Sequence, residues 1–173
     1  MNVVLGVTGS IAAYKACELV RLLVKRGDDV HVVMTEHARA FVTPLTFQTL
    51  SRNPVEYDLF ADPQDWKPEH VSLAAADLVV VAPATANILA KMAHGIADDL
   101  LSSTLLATKA PIVVAPAMND GMWENPATQA NVAALTTRGV RIVSPNTGEL
   151  ACGTAGPGRM AEPSDILSAC NMP

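Results

Sequence analysis

The sequence predicts a doubly wound α/β fold, in which a parallel sheet is covered by helices on both faces. Three observations predict it. Short β-branched runs alternate along the chain with stretches of helical periodicity. Two of these runs, "DLVVVAPA" (77–84) and "PIVVAPA" (111–117), are almost continuously apolar, as in strands buried on both faces. The segments rich in glycine, proline and asparagine follow strands, where open α/β sheets bind their ligands.

The elements follow in order. "VVLGV" at 3–7 is a strand ending in the turn "TGS", and Ala13, Ala16, Cys17, Val20, Leu23 and Val24 then recur at helical spacing until Gly27. "DVHVVMT" (29–35) is the second strand, and Pro44 opens a helix over 44–51. The strand at 77–84 leads to helices over 85–93 and 98–108, and the strand at 111–117 follows. Asn125 and Pro126 resemble a cap and first-turn proline for a helix over 126–138, with Gly139 as its terminator and "VRIVSP" (140–145) as the fifth strand. Residues 1–173 read as one domain, long enough to bury roughly 70% of its extended surface.

Half of the residues are hydrophobic and only 17% are charged, which points to surface covered by other subunits of a homo-oligomer. A net charge of −5 with no run of lysine or arginine offers no footprint for nucleic acid or an anionic membrane. No apolar run approaches the roughly 18 residues of a membrane span, and no basic region precedes an apolar one at the start, so a soluble cytoplasmic protein is expected. Cys17, Cys152 and Cys170 are odd in number and lack a C-x-x-C pair, which argues against a metal site or a disulfide framework.

Four stretches carry possible chemistry. In "VTGSIAAYK" (7–15), Gly9 allows a tight turn, Ser10 offers a hydroxyl, and the N–H groups of the helix start favour a phosphate. A plain β–α turn reads the same way, and the dinucleotide and Walker patterns are absent. Thr35 and His37 fall beside this turn. "APATANIL" (82–89) presents small and hydroxyl residues, which suit either a flat ligand or an ordinary loop with Asn87 near a helix start. "PAMNDGMW" (116–123) places Asn119 at the ligand edge, where its amide can both donate and accept. In "ELACGTAGPGRM" (149–160), Cys152 lies among Gly148, Gly153, Gly156 and Gly158, with Arg159 nearby. This is either a flap that closes over a ligand or a loop with an incidental thiol. His31, in a strand, and His94, at a helix end, read as structural. His70, in a loop before a short helix, is structural or a proton carrier.

Together, "GSIAAYKA", "HVSLA", "APATAN", "PAMNDGMW" and "ACGTAGPGRM" resemble the flavin-containing cysteine decarboxylases over essentially the whole chain. The resemblance implies a Rossmann-like or flavodoxin-like three-layer sandwich with FMN as cofactor. Gly9, Ser10, Ile11, Thr35, His37, Ala84, Thr85, Ala86, Asn87 and Ala117 match the stretches that bind FMN. His70 matches the active-site histidine, Asn119 the residue that holds the substrate carboxylate, and Cys152 the flap proton donor. Glu149, Ala151, Cys152 and Met160 match the substrate flap. The substrate implied is 4′-phospho-N-pantothenoylcysteine, converted to 4′-phosphopantetheine in coenzyme A biosynthesis. Oxidation of the cysteinyl CH–SH unit to a thioaldehyde provides the electron sink for loss of carbon dioxide, and reduction with a proton from Cys152 completes the product. Trimers, or trimers assembled into a dodecamer, are implied as well. Alternatives are a peptidyl-cysteine decarboxylase, an FMN-binding regulatory subunit and a flavin prenyltransferase of similar fold. The chain departs from the family in carrying Asp99 where asparagine is common, and it ends at Pro173, where many bacterial relatives continue into a ligase.

Overall fold

The apolar runs pair side by side in the computed structural model, which describes residues 1–60, 69–149, 153 and 155–171. Strand β1 (Asn2–Val7) lies between β2 (Asp29–Met34) and β4 (Leu78–Ala84), parallel to both. The two-residue strand β3 (Val55–Glu56) joins the outer edge of β2, while β5 (Ile112–Pro116) and β6 (Arg141–Ile142) extend the sheet beyond β4. The order β3-β2-β1-β4-β5-β6 reverses direction between β1 and β4, which places a crevice at their carboxyl ends. All seven residues of β4 are buried, as its uninterrupted apolar sequence requires of a central parallel strand.

Strand alternation divides the core into two layers. Val3, Leu5 and Val7 face α1 (Ala13–Arg26), α8 (Pro163–Ala169) and Phe47 of α2 (Pro44–Ser51). Val4 faces the opposite layer, built from α3 (Glu69–Leu73), α4 (Ala86–His94), α5 (Leu100–Ala107) and α7 (Pro126–Thr137). Gly6 of β1 must be small, because a Cβ there would meet Leu101 Cδ1 at 2.5 Å. Helix α1 buries Ala13, Ala16, Leu19, Val20 and Leu23 on one stripe, and each large apolar side chain so buried contributes about 1.5–3 kcal/mol. It stops at Gly27, whose φ of 96° lets its N–H return to the carbonyls of Leu23 and Val24. No helix among the described residues is long and apolar enough to cross a membrane.

The predicted α/β architecture and its five strands are present, four of them long, with differences at the margins. Strand β3 is too short for a periodicity signal. The fifth predicted strand is confined to Arg141–Ile142; beyond Val143, whose N–H bonds to Val114 O, Pro145 has no N–H to extend the ladder. His70 lies inside α3, in its first turn, rather than in a loop before it. Glycine-rich residues 146–159 include an antiparallel hairpin, β7 (Asn146–Glu149) with β8 (Ala155–Arg159). Helix α8 was also unpredicted, although Pro163 at its first position is a usable start signal.

Candidate active site

A cavity of about 550 Å³ opens at the carboxyl edge of the sheet. Ser10, Ile11, Tyr14 and Lys15 form one wall, from the turn after β1 and the start of α1. Ala117, Met118 and Asn119, after β5, form the second, and Glu149, Gly158, Arg159 and Met160 bring the hairpin over it. Six residues singled out from the sequence therefore meet around one space: Ser10, Ile11, Ala117, Asn119, Glu149 and Met160. Met160 is 1% exposed and belongs to the core beneath the cavity as well.

The first wall is built by the turn after β1. The Ser10 hydroxyl accepts the Ala12 N–H at 3.3 Å, α1 has no side-chain cap, and its first turn contains no acidic residue. Such a helix start carries partial positive charge that suits an anion. Gly9 has no room for a side chain, since a Cβ would overlap Cβ of His37. The predicted trio Gly9, Thr35 and His37 is thus brought together, with Thr35 capping the 3-10 turn at Glu36–Ala40 and His37 exposed.

Thr8 organises the loops, and the sequence reading missed it. Its buried hydroxyl donates to Pro83 O at 2.7 Å and accepts the Thr85 N–H at 3.1 Å, which joins the turn after β1 to the loop after β4. A hydroxyl directly after an apolar strand was the available signal, because a buried hydroxyl needs a partner. Thr85 in turn caps α4 by accepting the Ile88 N–H. Ala84 is wholly buried, and its carbonyl accepts the Ala117 N–H at 3.0 Å. Asn87 is exposed on the first turn of α4. None of residues 84–87 lines the cavity.

Asn119 precedes the short helix α6 (Asp120–Glu124), where its Oδ1 accepts the Gly121 N–H at 2.9 Å. The hairpin locks this loop in place. Gly158 O accepts the Met118 N–H at 3.0 Å, and the backbones approach so closely that a Cβ at Gly158, whose φ is 135°, would overlap the Met118 carbonyl oxygen. Ala151 and Cys152 lie outside the described residues.

Lys15 and Arg159 complete the wall, and their shared partner Glu162 was not singled out from the sequence. Lys15 Nζ lies 2.9 Å from Glu162 Oε1 and 3.4 Å from Met160 O, and Arg159 Nη2 lies 2.9 Å from the same Glu162 oxygen. The bond from Lys15 above all, with the nearby Arg159, holds the Glu162 carboxyl below its ordinary range. Asp99 likewise has a local use. It caps α5 by accepting the Ser102 N–H at 2.7 Å and pairs with Lys91 at 2.7 Å.

His70 is elsewhere. It does not line the cavity: it sits on α3, whose Leu73 packs into the core layer opposite α1. Its Nδ1 is buried with no hydrogen-bond partner among the described residues.

Strand order, crevice and a helix start shaped for an anion define a ligand-binding domain of the doubly wound α/β class. The sequence matches the family described as Flavoprotein over residues 1–172, and the chain belongs to that family. It is 48% identical over 170 residues to the coenzyme A biosynthesis bifunctional protein CoaBC of Vibrio vulnificus (strain YJ016), covering 98% of this chain and 42% of that protein. With the CoaBC protein of Bacillus subtilis (strain 168) it shares 50% identity over 167 residues, 96% of this chain and 41% of the relative. The chain therefore spans about two fifths of the length of these curated relatives. Among solved structures it is similar to a cysteine-to-serine variant of PPC decarboxylase complexed with pantothenoylaminoethenethiol, with a TM-score of 0.88 and 33% identity over 98% of this chain and 95% of the other. The FMN-dependent cysteine decarboxylase SpaF gives a TM-score of 0.84 at 36% identity, over 98% and 97% of the two chains.

Proposed function

We propose that this chain is a cytoplasmic, FMN-dependent decarboxylase that converts 4′-phospho-N-pantothenoylcysteine to 4′-phosphopantetheine in coenzyme A biosynthesis, with residues 1–173 acting as a single FMN-binding decarboxylase domain. The observation that carries this reading is the convergence of Ser10, Ile11, Ala117, Asn119, Glu149 and Met160 around one cavity. The full-length likeness to PPC decarboxylase supports it.

The residues present fit a flavin mononucleotide. The turn at Gly9 and Ser10 leads into a helix start free of acidic side chains, which suits a phosphate, and Ile11 beside it is an exposed apolar surface for a flat ring. Thr35, His37, Ala84, Thr85, Ala86, Asn87 and Ala117 are the other residues assigned to hold it. When bound, FMN supplies a reversible two-electron acceptor for the CH–SH unit of the substrate.

The chain's own residues do the rest. Asn119, fixed by the Gly121 N–H, orients the substrate carboxylate. Glu149, Ala151 and Met160 contact the substrate. His70 manages the proton of the oxidative half, and Cys152 gives the proton of the reductive half. Because His70 does not line the cavity of its own chain, we assign it to the cavity of a neighbouring copy, in a trimer or in trimers assembled into a dodecamer. A fully active monomer in light scattering would rule that assembly out.

The deciding experiment follows product mass from phosphopantothenoylcysteine. Wild type yields phosphopantetheine. His70→Asn releases little carbon dioxide, whereas Cys152→Ser accumulates a product lighter by one pair of hydrogen atoms, the enethiol, because serine is a far weaker acid than a thiol. Turnover of a peptide ending in cysteine but not of phosphopantothenoylcysteine would transfer the assignment to a peptidyl-cysteine decarboxylase. Phosphopantetheine formed by Cys152→Ser at the wild-type rate would remove the thiol from the chemistry.

A further inference from the structure

Lys15, Arg159 and Glu162 take no part in the chemistry proposed above, yet they meet at the cavity wall. The Lys15 side chain is only 10% exposed, and an ammonium so withdrawn from water needs a counter-charge. Glu162, just ahead of α8, provides it through Oε1. The same oxygen accepts Arg159 Nη2 from the end of β8. One carboxylate oxygen therefore clamps cations that belong to two separate elements, the first turn of α1 and the hairpin. Both cations line the cavity and Glu162 does not. Lys15 and Arg159 are thus brought side by side on the cavity wall by a carboxylate that stands outside it. The remaining charged residue of the lining, Glu149, is exposed at the end of β7, where water and salt screen it.

We propose that Glu162 is a positioning residue of this site: it holds Lys15 and Arg159 at the spacing that lets them bind an anionic group, phosphate or carboxylate, of a ligand in the cavity. The assignment rests on the reading of this cavity as the site for FMN and a phosphorylated cysteinyl substrate. Without the clamp the two like charges repel, and the Lys15 ammonium turns toward water. Binding then weakens although the wall has become more positive. That sign separates positioning from a plain charge effect, in which removal of a carboxylate tightens an anion.

The test compares wild type with Glu162→Gln, Lys15→Gln, the double variant and Arg159→Gln. Dissociation constants of FMN and of riboflavin for the apoprotein come from flavin fluorescence. KM and kcat are measured for phosphopantothenoylcysteine and for pantothenoylcysteine, which lacks the phosphate. Glu162→Gln is expected to weaken at least one of these constants by about tenfold while kcat changes less than about threefold, the scale of one charge-assisted contact. In the Lys15→Gln background the same change is expected to cost clearly less than in wild type, since one of the two cations through which Glu162 acts is already removed. Arg159→Gln, at an exposed side chain that the fold tolerates, is expected to weaken the same constant. A loss for FMN but not riboflavin identifies the anion as the cofactor phosphate; a loss for the phosphorylated substrate alone identifies the substrate phosphate; an equal loss for both substrates identifies the carboxylate. Constants that stay within about twofold of wild type or tighten in Glu162→Gln, or an undiminished loss in the Lys15→Gln background, overturn the proposal. A wild-type protein that turns over neither substrate overturns the functional reading instead, and unchanged flavin constants in Glu162→Gln then dispose of the Glu162 assignment too.

Discussion

Replacing Thr8 by valine removes one hydroxyl from the core and keeps the side-chain shape. Thr8 is 2% exposed, and its Oγ1 makes two bonds, to Pro83 O at 2.7 Å and from the Thr85 N–H at 3.1 Å. The two partners are affected differently. Pro83 O retains a second donor, the Thr8 N–H at 3.3 Å, whereas the Thr85 N–H loses its acceptor. One hydrogen bond lost, together with one donor left unsatisfied, amounts to about 2–3 kcal/mol. For a chain of 173 residues each kcal/mol lowers Tm by about 2–4 °C, so Thr8→Val is expected to melt about 4–12 °C below wild type. Scanning calorimetry at matched flavin content measures it, since bound ligand stabilises the folded state by itself. Thr8→Ser keeps the hydroxyl and loses one methyl, a cost of about 1 kcal/mol, and is expected to fall less. A valine variant that melts within about 1 °C of wild type, or above the serine variant, would refute the view that this hydroxyl joins the two loops.

Two further outcomes follow from titratable groups. At Asp99, burial favours the protonated form, but the bonds from Lys91 and Ser102 outweigh it and hold the carboxyl below its ordinary 3.8. A depressed folded value means that the stabilisation is present above the unfolded value and is lost as pH falls through the folded one. In urea melts across a pH series, Asp99→Asn should therefore flatten the acid limb while costing under ~1 kcal/mol at neutral pH, since asparagine caps a helix as well as aspartate and a partly exposed ion pair is worth little. Burial pushes the Cys170 thiol up to about 11, so at pH 8 roughly one molecule in a thousand carries the thiolate. Iodoacetamide followed by peptide mass spectrometry should leave Cys170 unmodified in the folded protein, and its rapid labelling would contradict the buried placement.

By itself the sequence determined the layering of this protein. Strand and helix periodicities are set by residues within a few positions of one another, so β1, β2, β4, β5, α1 and α7 could be placed before any contact was known. The turns after β1 and β5 were equally legible, because Gly9, Ser10 and Asn119 announce loops that must lie at the carboxyl edge of a parallel sheet. Tertiary structure alone decided which distant groups meet. Thr8 finds Pro83 and Thr85, Lys15 finds Glu162 across 147 positions, and Gly158 closes on Met118. It also decided that His70 stands apart from the cavity lining, because the crossovers of the chain carry α3 to the core layer opposite α1. The physical reason is the same each time. Periodicity reports the side of an element that faces the core, but the partner of a buried hydroxyl, ammonium or imidazole is chosen by the crossovers of the chain, and no local pattern carries that information.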